Sequence, residues 1–358
     1  MKRVGYKRTD FLNVLSYVGK ALSTKGPDAM LSTLCFHGGR VTAYNGVVAI
    51  QAELDVPIEG CIIGRLIIDM LKSSGAKDVV VSQDEKEGER VCIKLGRSRL
   101  KLSVVPVSEF PFKAPKIEGA DTLSLTDNFR DAIGRTMLSV SLDETRPEHF
   151  GVTVCFSKKE KYIYFYSSDD LTLTESICAL DKNDNRIDRV ITLPAQFCEL
   201  LDTGYKLHIG KRVVLATTDE GFRIYSRLIR GNYLKEYRDI ISYETSGDFI
   251  KFPIPGALSK ALSRACVLLD GRAGYTNIAI SSDDSIMFLS TVGIIGDVKD
   301  FIRIKHLTMS RESVFIRCDP KLLLRALSLG RFIFIDKSIW LKNNNVLHLI
   351  SPVTKTLE

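Results

Sequence analysis

One pattern recurs three times along this chain of 358 residues, and it limits the fold more than any single motif does. A short segment appears at residues 65–72 (RLIIDMLK), again at 195–202 (AQFCELLD) and again at 321–328 (KLLLRALS). Apolar residues fall at matching places: Ile67, Phe197 and Leu323; Met70, Leu200 and Ala326; Leu71, Leu201 and Leu327. Each copy follows a Gly or Pro (Gly64, Pro194, Pro320) suited to a helix start. A longer amphipathic segment precedes each one. Residues 10–22 place Phe11, Leu15, Val18 and Leu22 on one stripe; residues 127–140 do so with Phe129, Ile133, Met137 and Val140; residues 256–269 with Ala257, Ala261, Ala265 and Leu268. Thr9-Asp10 and Thr126-Asp127 offer capping chemistry, and Pro255 suits a first turn.

Between the two helices of each copy lies a hairpin pattern: residues 31–45 turning at Gly38-Gly39, 152–167 turning near Lys158-Lys159, and 277–290 turning at Ser282-Asp283-Asp284. A strand pair closes each copy, at 91–105, 213–228 and 332–350. The linkers fall at 111–119 and 242–248. The expected fold class is therefore α+β: three similar domains, 1–116, 117–243 and 244–358, each with two helices packed on one face of antiparallel sheet.

Chemistry narrows the function by elimination. The five histidines are dispersed, and no H-E-x-x-H, G-x-S-x-G or G-x-G-x-x-G string occurs. The stretch 204–212 (GYKLHIGKR) has one residue too many for a phosphate loop and lacks its Ser/Thr. Asp169-Asp170, Asp283-Asp284 and Asp143-Glu144 read as solvated turn acids. No catalytic site, metal site or cofactor is expected. Eight scattered cysteines without a C-x-x-C pair read as reduced packing residues. The longest apolar run is broken by Arg65 and Asp69, and the basic N-terminus has no apolar core behind it, so no membrane association and a cytoplasmic location are expected. The net charge is +7, and the three copies carry +6, −3 and +4, which permits nucleic-acid binding without demanding it.

Opposite their apolar stripes the short helices present Arg65, Asp69 and Lys72 in the first copy and Lys321, Arg325 and Ser328 in the third, but Ala195, Glu199 and Asp202 in the second. On the long helices Lys20 and Lys260 point away from the stripe, and Arg130, Arg135 and Arg264 flank it. Val267 falls on the wrong side of its helix, beside Leu268, and suggests an interface. The run Arg97-Ser98-Arg99-Leu100-Lys101-Leu102 alternates as an edge strand does; its charges either guard that edge or border another subunit.

The whole chain resembles the bacterial DNA polymerase III beta subunit (sliding clamp) family. The stretch Gly96 to Ser103 (GRSRLKLS) with Glu109-Phe110-Pro111 is similar to the family's GRSRFSLS…DFP; Gly231 with Glu236-Tyr237-Arg238 to its G-x-FPDYR; Leu349 to Val353 (LISPV) to its VVMPM. The family's ATDGHR stretch is replaced by YSSDDL at 166–171, and the chain is basic where most members are acidic, which fits a divergent phage- or plasmid-encoded member. The resemblance implies three tandem clamp domains in a head-to-tail homodimeric ring. Twelve helices about 10 Å apart then enclose a bore of roughly 28 Å. It implies a non-catalytic processivity factor that encircles double-stranded DNA and tethers polymerase and clamp-loader peptides in a pocket. The implied DNA-facing residues are Lys25 and Arg146, with Lys20, Arg65, Lys72, Arg130, Arg135, Lys260, Arg264, Lys321 and Arg325. The implied pocket is Leu171, Thr172, Leu234, Ile240, Leu349, Ser351, Pro352 and Val353. The implied dimer contact joins Val267 and Leu268 to Leu71 and the strand of Arg97, Arg99, Leu100 and Leu102. Two rival readings are a non-ring DNA-binding scaffold and a metal-dependent phosphodiesterase using Asp169-Asp170.

Overall fold

The fold is that of a computed structural model. It describes residues 3–23, 28–83, 90–141, 149–157, 161–179, 187–231, 234–242, 249–269, 274–281, 285–294, 296–310 and 312–353.

The first copy runs β1 (Arg3–Lys7), α1 (Arg8–Val18), β2 (Thr33–His37), β3 (Arg40–Tyr44), β4 (Val48–Glu53), β5 (Gly60–Ile63), α2 (Gly64–Ser73), β6 (Asp78–Gln83), β7 (Arg90–Leu95) and β8 (Ser98–Ser103). The second repeats this order as β9 (Asp121–Ser124), α3 (Asp127–Thr136), β10 (Gly151–Phe156), β11 (Tyr162–Ser168), β12 (Thr172–Ala179), β13 (Arg189–Pro194), α4 (Ala195–Cys198), β14 (Lys206–Ile209), β15 (Val213–Thr217) and β16 (Arg223–Arg227). After a helix α5 (Leu234–Ser242), the third gives β17 (Ile250–Pro253), α6 (Leu258–Leu269), β18 (Thr276–Ser281), β19 (Ile286–Gly293), β20 (Gly296–Arg303), the two-residue β21 (Thr308–Met309), β22 (Ser313–Cys318), α7 (Pro320–Ala326), β23 (Phe332–Ile335), β24 (Ile339–Asn343) and β25 (Val346–Ile350).

Local chemistry explains most boundaries. Gly38 and Gly39 take φ of 57° and 72°, the left-handed pair that a two-residue hairpin turn between β2 and β3 requires. Asp319 caps α7, its carboxylate accepting from the Lys321 amide at 2.7 Å, with Pro320 in the first turn. Arg8 reaches back to α2, donating to the carbonyls of Leu71 (2.9 Å) and Ala76 (2.8 Å) and so satisfying a helix end. The third long helix buries Leu258, Ala261, Leu262, Ala265 and Leu269, so the expected Ala257 lies outside it and exposed and Leu268 is only half-buried; two further expectations change. Thr9 and Asp10 do not cap α1: β1 runs directly into the helix, Lys7 is the flanking residue, and the Thr9 hydroxyl bonds Asp10 instead. The expected helix at 195–202 stops at Cys198, because a turn at 199–200 follows and Asp202 spends its carboxylate on the Thr203 amide (2.8 Å) before Gly204 at φ 84°.

Strand pairing adds what periodicity could not supply. Each copy holds two half-sheets. The order β5-β2-β3-β4-β16-β15-β14-β9 joins the first half of copy one to the second half of copy two; β13-β10-β11-β12-β25-β24-β23-β17-β21 joins copies two and three alike. The outstanding halves, β1-β6-β7-β8 and β20-β19-β18-β22, are separate four-stranded sheets. By compactness the chain forms two units, 1–126 with 199–228, and 127–198 with 229–358, so the second copy is shared between them. In the first unit α1 lies against strands of both of its sheets and against α2, whose Ile67, Ile68 and Leu71 are buried. In the second, Leu258, Ala261 and Leu262 of α6 and Leu323 and Ala326 of α7 share one core with Ile278, Leu289, Ile316 and Leu341. Among the described residues no helix is long and apolar enough to cross a membrane.

Candidate partner pocket, basic helix faces and open sheet edges

The expected pocket residues belong to the second unit and gather where β12 pairs with β25. Thr172 stands opposite Ile350 and Leu173 opposite Leu349. Just before β12, Asp169 folds the loop. Its Oδ1 accepts from the amides of Leu171 (3.1 Å) and Thr172 (2.7 Å) and from the Thr172 hydroxyl (2.8 Å), while Asp170 takes φ 69°. That turn pushes Leu171 outward, 57% exposed, and its carbonyl accepts from the Ser351 amide at 2.8 Å. Asp169 is therefore occupied as a turn acid, and Asp170 lies 3.4 Å from His149 Nε2.

Behind the loop Tyr166, Leu173, Trp340, Leu347 and Leu349 form a buried cluster. Helix α5, which sequence periodicity did not flag as a helix, seals it with Tyr237 and Ile241, and Ile240 faces outward, 43% exposed. The spacing of Leu234, Tyr237 and Ile241 was the signal that could have revealed this helix. Burial, with Glu175 nearby, pushes the Tyr166 phenol above its ordinary pKa and keeps it neutral. Arg238 lies over the Tyr164 ring at 5.9 Å. Pro352 and Val353 are half-buried, with the Val353 amide held by the Arg317 carbonyl (2.9 Å). The structure thus places Leu171, Thr172, Leu349 and Ser351 side by side, and brings in α5 through Tyr237. Leu234 opens α5.

The basic candidates divide by electrostatic surroundings. Arg65 and Lys72 are exposed on α2 on either side of Asp69. Lys20 is exposed, with its ammonium 4.5 Å from the centre of the Tyr17 ring. Arg130 and Lys260 are exposed on α3 and α6. Arg135 pairs with Asp131 one turn earlier at 3.9 Å. Arg264 makes a two-point ion pair with Asp300, which offsets its charge locally. Lys321 is half-buried, and Arg325 donates to the Leu138 carbonyl at 3.1 Å. Lys25 and Arg146 lie outside the described residues.

Each four-stranded sheet leaves at one edge the strand whose counterparts in the other copies join the long sheets: β8 in the first unit and β20 in the second. Arg97, Arg99 and Lys101 are exposed along or beside β8. Leu71 and Leu102 are not available to a partner as expected. Leu71 lies on the apolar stripe of α2 at 0% exposure, and alternation along β8 turns Leu102 into the core at 7%. Leu100 is half-buried. Val267 projects from α6 at 77% exposure, and Leu268 packs over Gly293 at the end of β19, where Val292 and Ile294 on either side are exposed.

No family model matches the chain. The curated Beta sliding clamp of Streptomyces coelicolor is 21% identical over 346 residues, covering 91% of this chain and 88% of that protein. Among solved structures, the DNA polymerase sliding clamp from Caulobacter crescentus superposes with a TM-score of 0.83 at 16% identity, over 99% of this chain and 100% of that one. The beta subunit from DNA polymerase of Streptococcus pyogenes does so with 0.82 at 20% identity, with the same coverage. With its threefold order of elements and full-length match, the chain has the fold of the bacterial sliding clamps and is similar to them in sequence along most of its length.

Proposed function

We propose that this protein is a non-catalytic DNA polymerase accessory subunit, a processivity clamp. Two copies close head to tail around duplex DNA and tether partner peptides at the pocket beside Leu171. One observation carries the reading. Each repeat offers two terminal strands, β4 and β8, β12 and β16, β20 and β25. Four of them pair within the chain as β4·β16 and β12·β25. The remaining two, β20 and β8, are left open, and each is the counterpart of a strand that pairs elsewhere. A second copy supplies β8 to β20 and β20 to β8, giving six equivalent seams in a closed ring of six repeats with domain limits at 116 and 243. Val267, Ile294 and Leu268 flank that seam. Encirclement needs no base contact; exposed cations such as Arg65, Lys72 and Lys260 supply salt-sensitive phosphate attraction that leaves the ring able to move along DNA. Negative-stain imaging at micromolar concentration tests this. Closed rings with a central hole are expected, and compact particles without a hole would hand the reading to a non-ring scaffold.

A further inference from the structure

The first unit contains a cavity of about 170 Å³ where β4 pairs with β16, roofed by the chain at 111–115. Tyr44, Val47, Phe112 and Tyr225 line it, and Lys113 and Arg227 stand at its border. Both cations are exposed, and no lining residue is acidic. The rings form a continuous wall: Tyr44 to Phe112 is 5.3 Å between centroids and Phe112 to Tyr225 5.7 Å. The walls are pinned, since the Tyr44 hydroxyl donates to the Gly46 carbonyl (2.6 Å) and the Ser226 hydroxyl to that of Val47 (3.0 Å).

This place is built like the pocket of the second unit. Asn45 Oδ1 accepts from the amides of Val47 (3.0 Å) and Val48 (2.8 Å), as Asp169 does from Leu171 and Thr172, and Gly46 takes φ 96° where Asp170 takes 69°. Val48 then pairs with Ser226 as Thr172 pairs with Ile350. By that register Val47 occupies the position of Leu171, Tyr225 that of Leu349, and Arg227 that of Ser351.

We propose that this cavity is a second peptide-binding site, which takes one aromatic or aliphatic side chain of an acidic peptide while Lys113 and Arg227 receive flanking carboxylates. A cavity of about 150 Å³ accommodates a benzene ring, so the space suits a single ring and is too small for a larger ligand. Carboxylates are the complement of a guanidinium and an ammonium with no competing acid beside them. The likeness of the two junctions leans on the peptide reading of the Leu171 pocket; the cavity, its rings and its charges do not.

The test is fluorescence anisotropy of a fluorescein-labelled Gly-Glu-Phe-Glu-amide on the full chain, beside its Gly-Lys-Phe-Lys counterpart and a labelled thymidine hexanucleotide. Binding of the acidic peptide is expected. It falls about tenfold in Lys113→Glu/Arg227→Glu, where two exposed ion pairs are lost, and in Phe112→Ala it weakens without change in charge preference. Leu171→Asp leaves it within about twofold, since that change belongs to the other site. Failure of the wild type to bind the acidic peptide, indifference to the charge reversal, loss in Leu171→Asp, or preference for the oligonucleotide would each overturn the proposal. None of these readouts depends on ring closure or DNA, so the clamp reading stands or falls separately.

Discussion

At the scale of single residues, His348 shows how packing sets a titration. Its ring is buried at 2% exposure, with Nδ1 2.7 Å from the Thr174 hydroxyl, which is itself 2.7 Å from that of Ser139. Burial first, and the charge of Arg325 second, push its pKa down to about 4 from an ordinary 6.5. The unfolded chain therefore takes up this proton at a higher pH than the folded one. Stability from this group is complete above pH 6.5 and drains away as the pH falls toward 4, by up to about 3 kcal/mol. Denaturant titrations across that window should show a clearly flatter acid limb for His348→Gln than for the wild type; equal slopes would mean that His348 is not the group responsible. None of this was readable beforehand. The sequence shows a His between two leucines in an otherwise continuous apolar run, while its partner Thr174 comes from a strand far away in the chain.

At the scale of elements, the two-residue and 3.6-residue periods located nearly all helices and hairpins, because both report which side of a segment meets a core. They do not report which strand lies alongside. For that reason the pairings β4·β16 and β12·β25 were unforeseen, although the loops leading into β4 and β12 share an Asx residue and its hydrogen bonds. The same limit explains the proposed peptide pocket: Leu171 and Leu349 came from the family resemblance, whereas the buried cluster of Tyr166, Tyr237 and Trp340 behind them emerged only with the fold. Helix α2 carries a sharper expectation. Arg65 and Lys72 are exposed and separated by one acid, whereas Arg264 is tied to Asp300. Arg65→Ala with Lys72→Ala should lower the slope of log affinity against log salt for duplex DNA by about 1 to 2, while Arg264→Ala changes it less. Equal effects of the two replacements would show that local ion pairing does not decide which cations DNA meets.

At the scale of the whole molecule, the proposal stands on two open edges and on Val267. Since Val267 is exposed in the single chain, Val267→Glu should leave thermal stability nearly unchanged and raise the dimer dissociation constant by about tenfold or more in sedimentation velocity. A dimer of unaltered affinity would move the contact elsewhere. The shared sheets carry a different consequence, for folding. A fragment ending at residue 116 would keep β4 but lose β16, leaving the strand VAIQAE as a bare edge ready to aggregate. A cut through the middle of a repeat does no better, because β10 to β13 intervene between β9 and the strand β14 that pairs with it. The chain is written in thirds, yet it must collapse as two interleaved halves, and no single cleavage yields a piece whose hydrogen bonds are all satisfied.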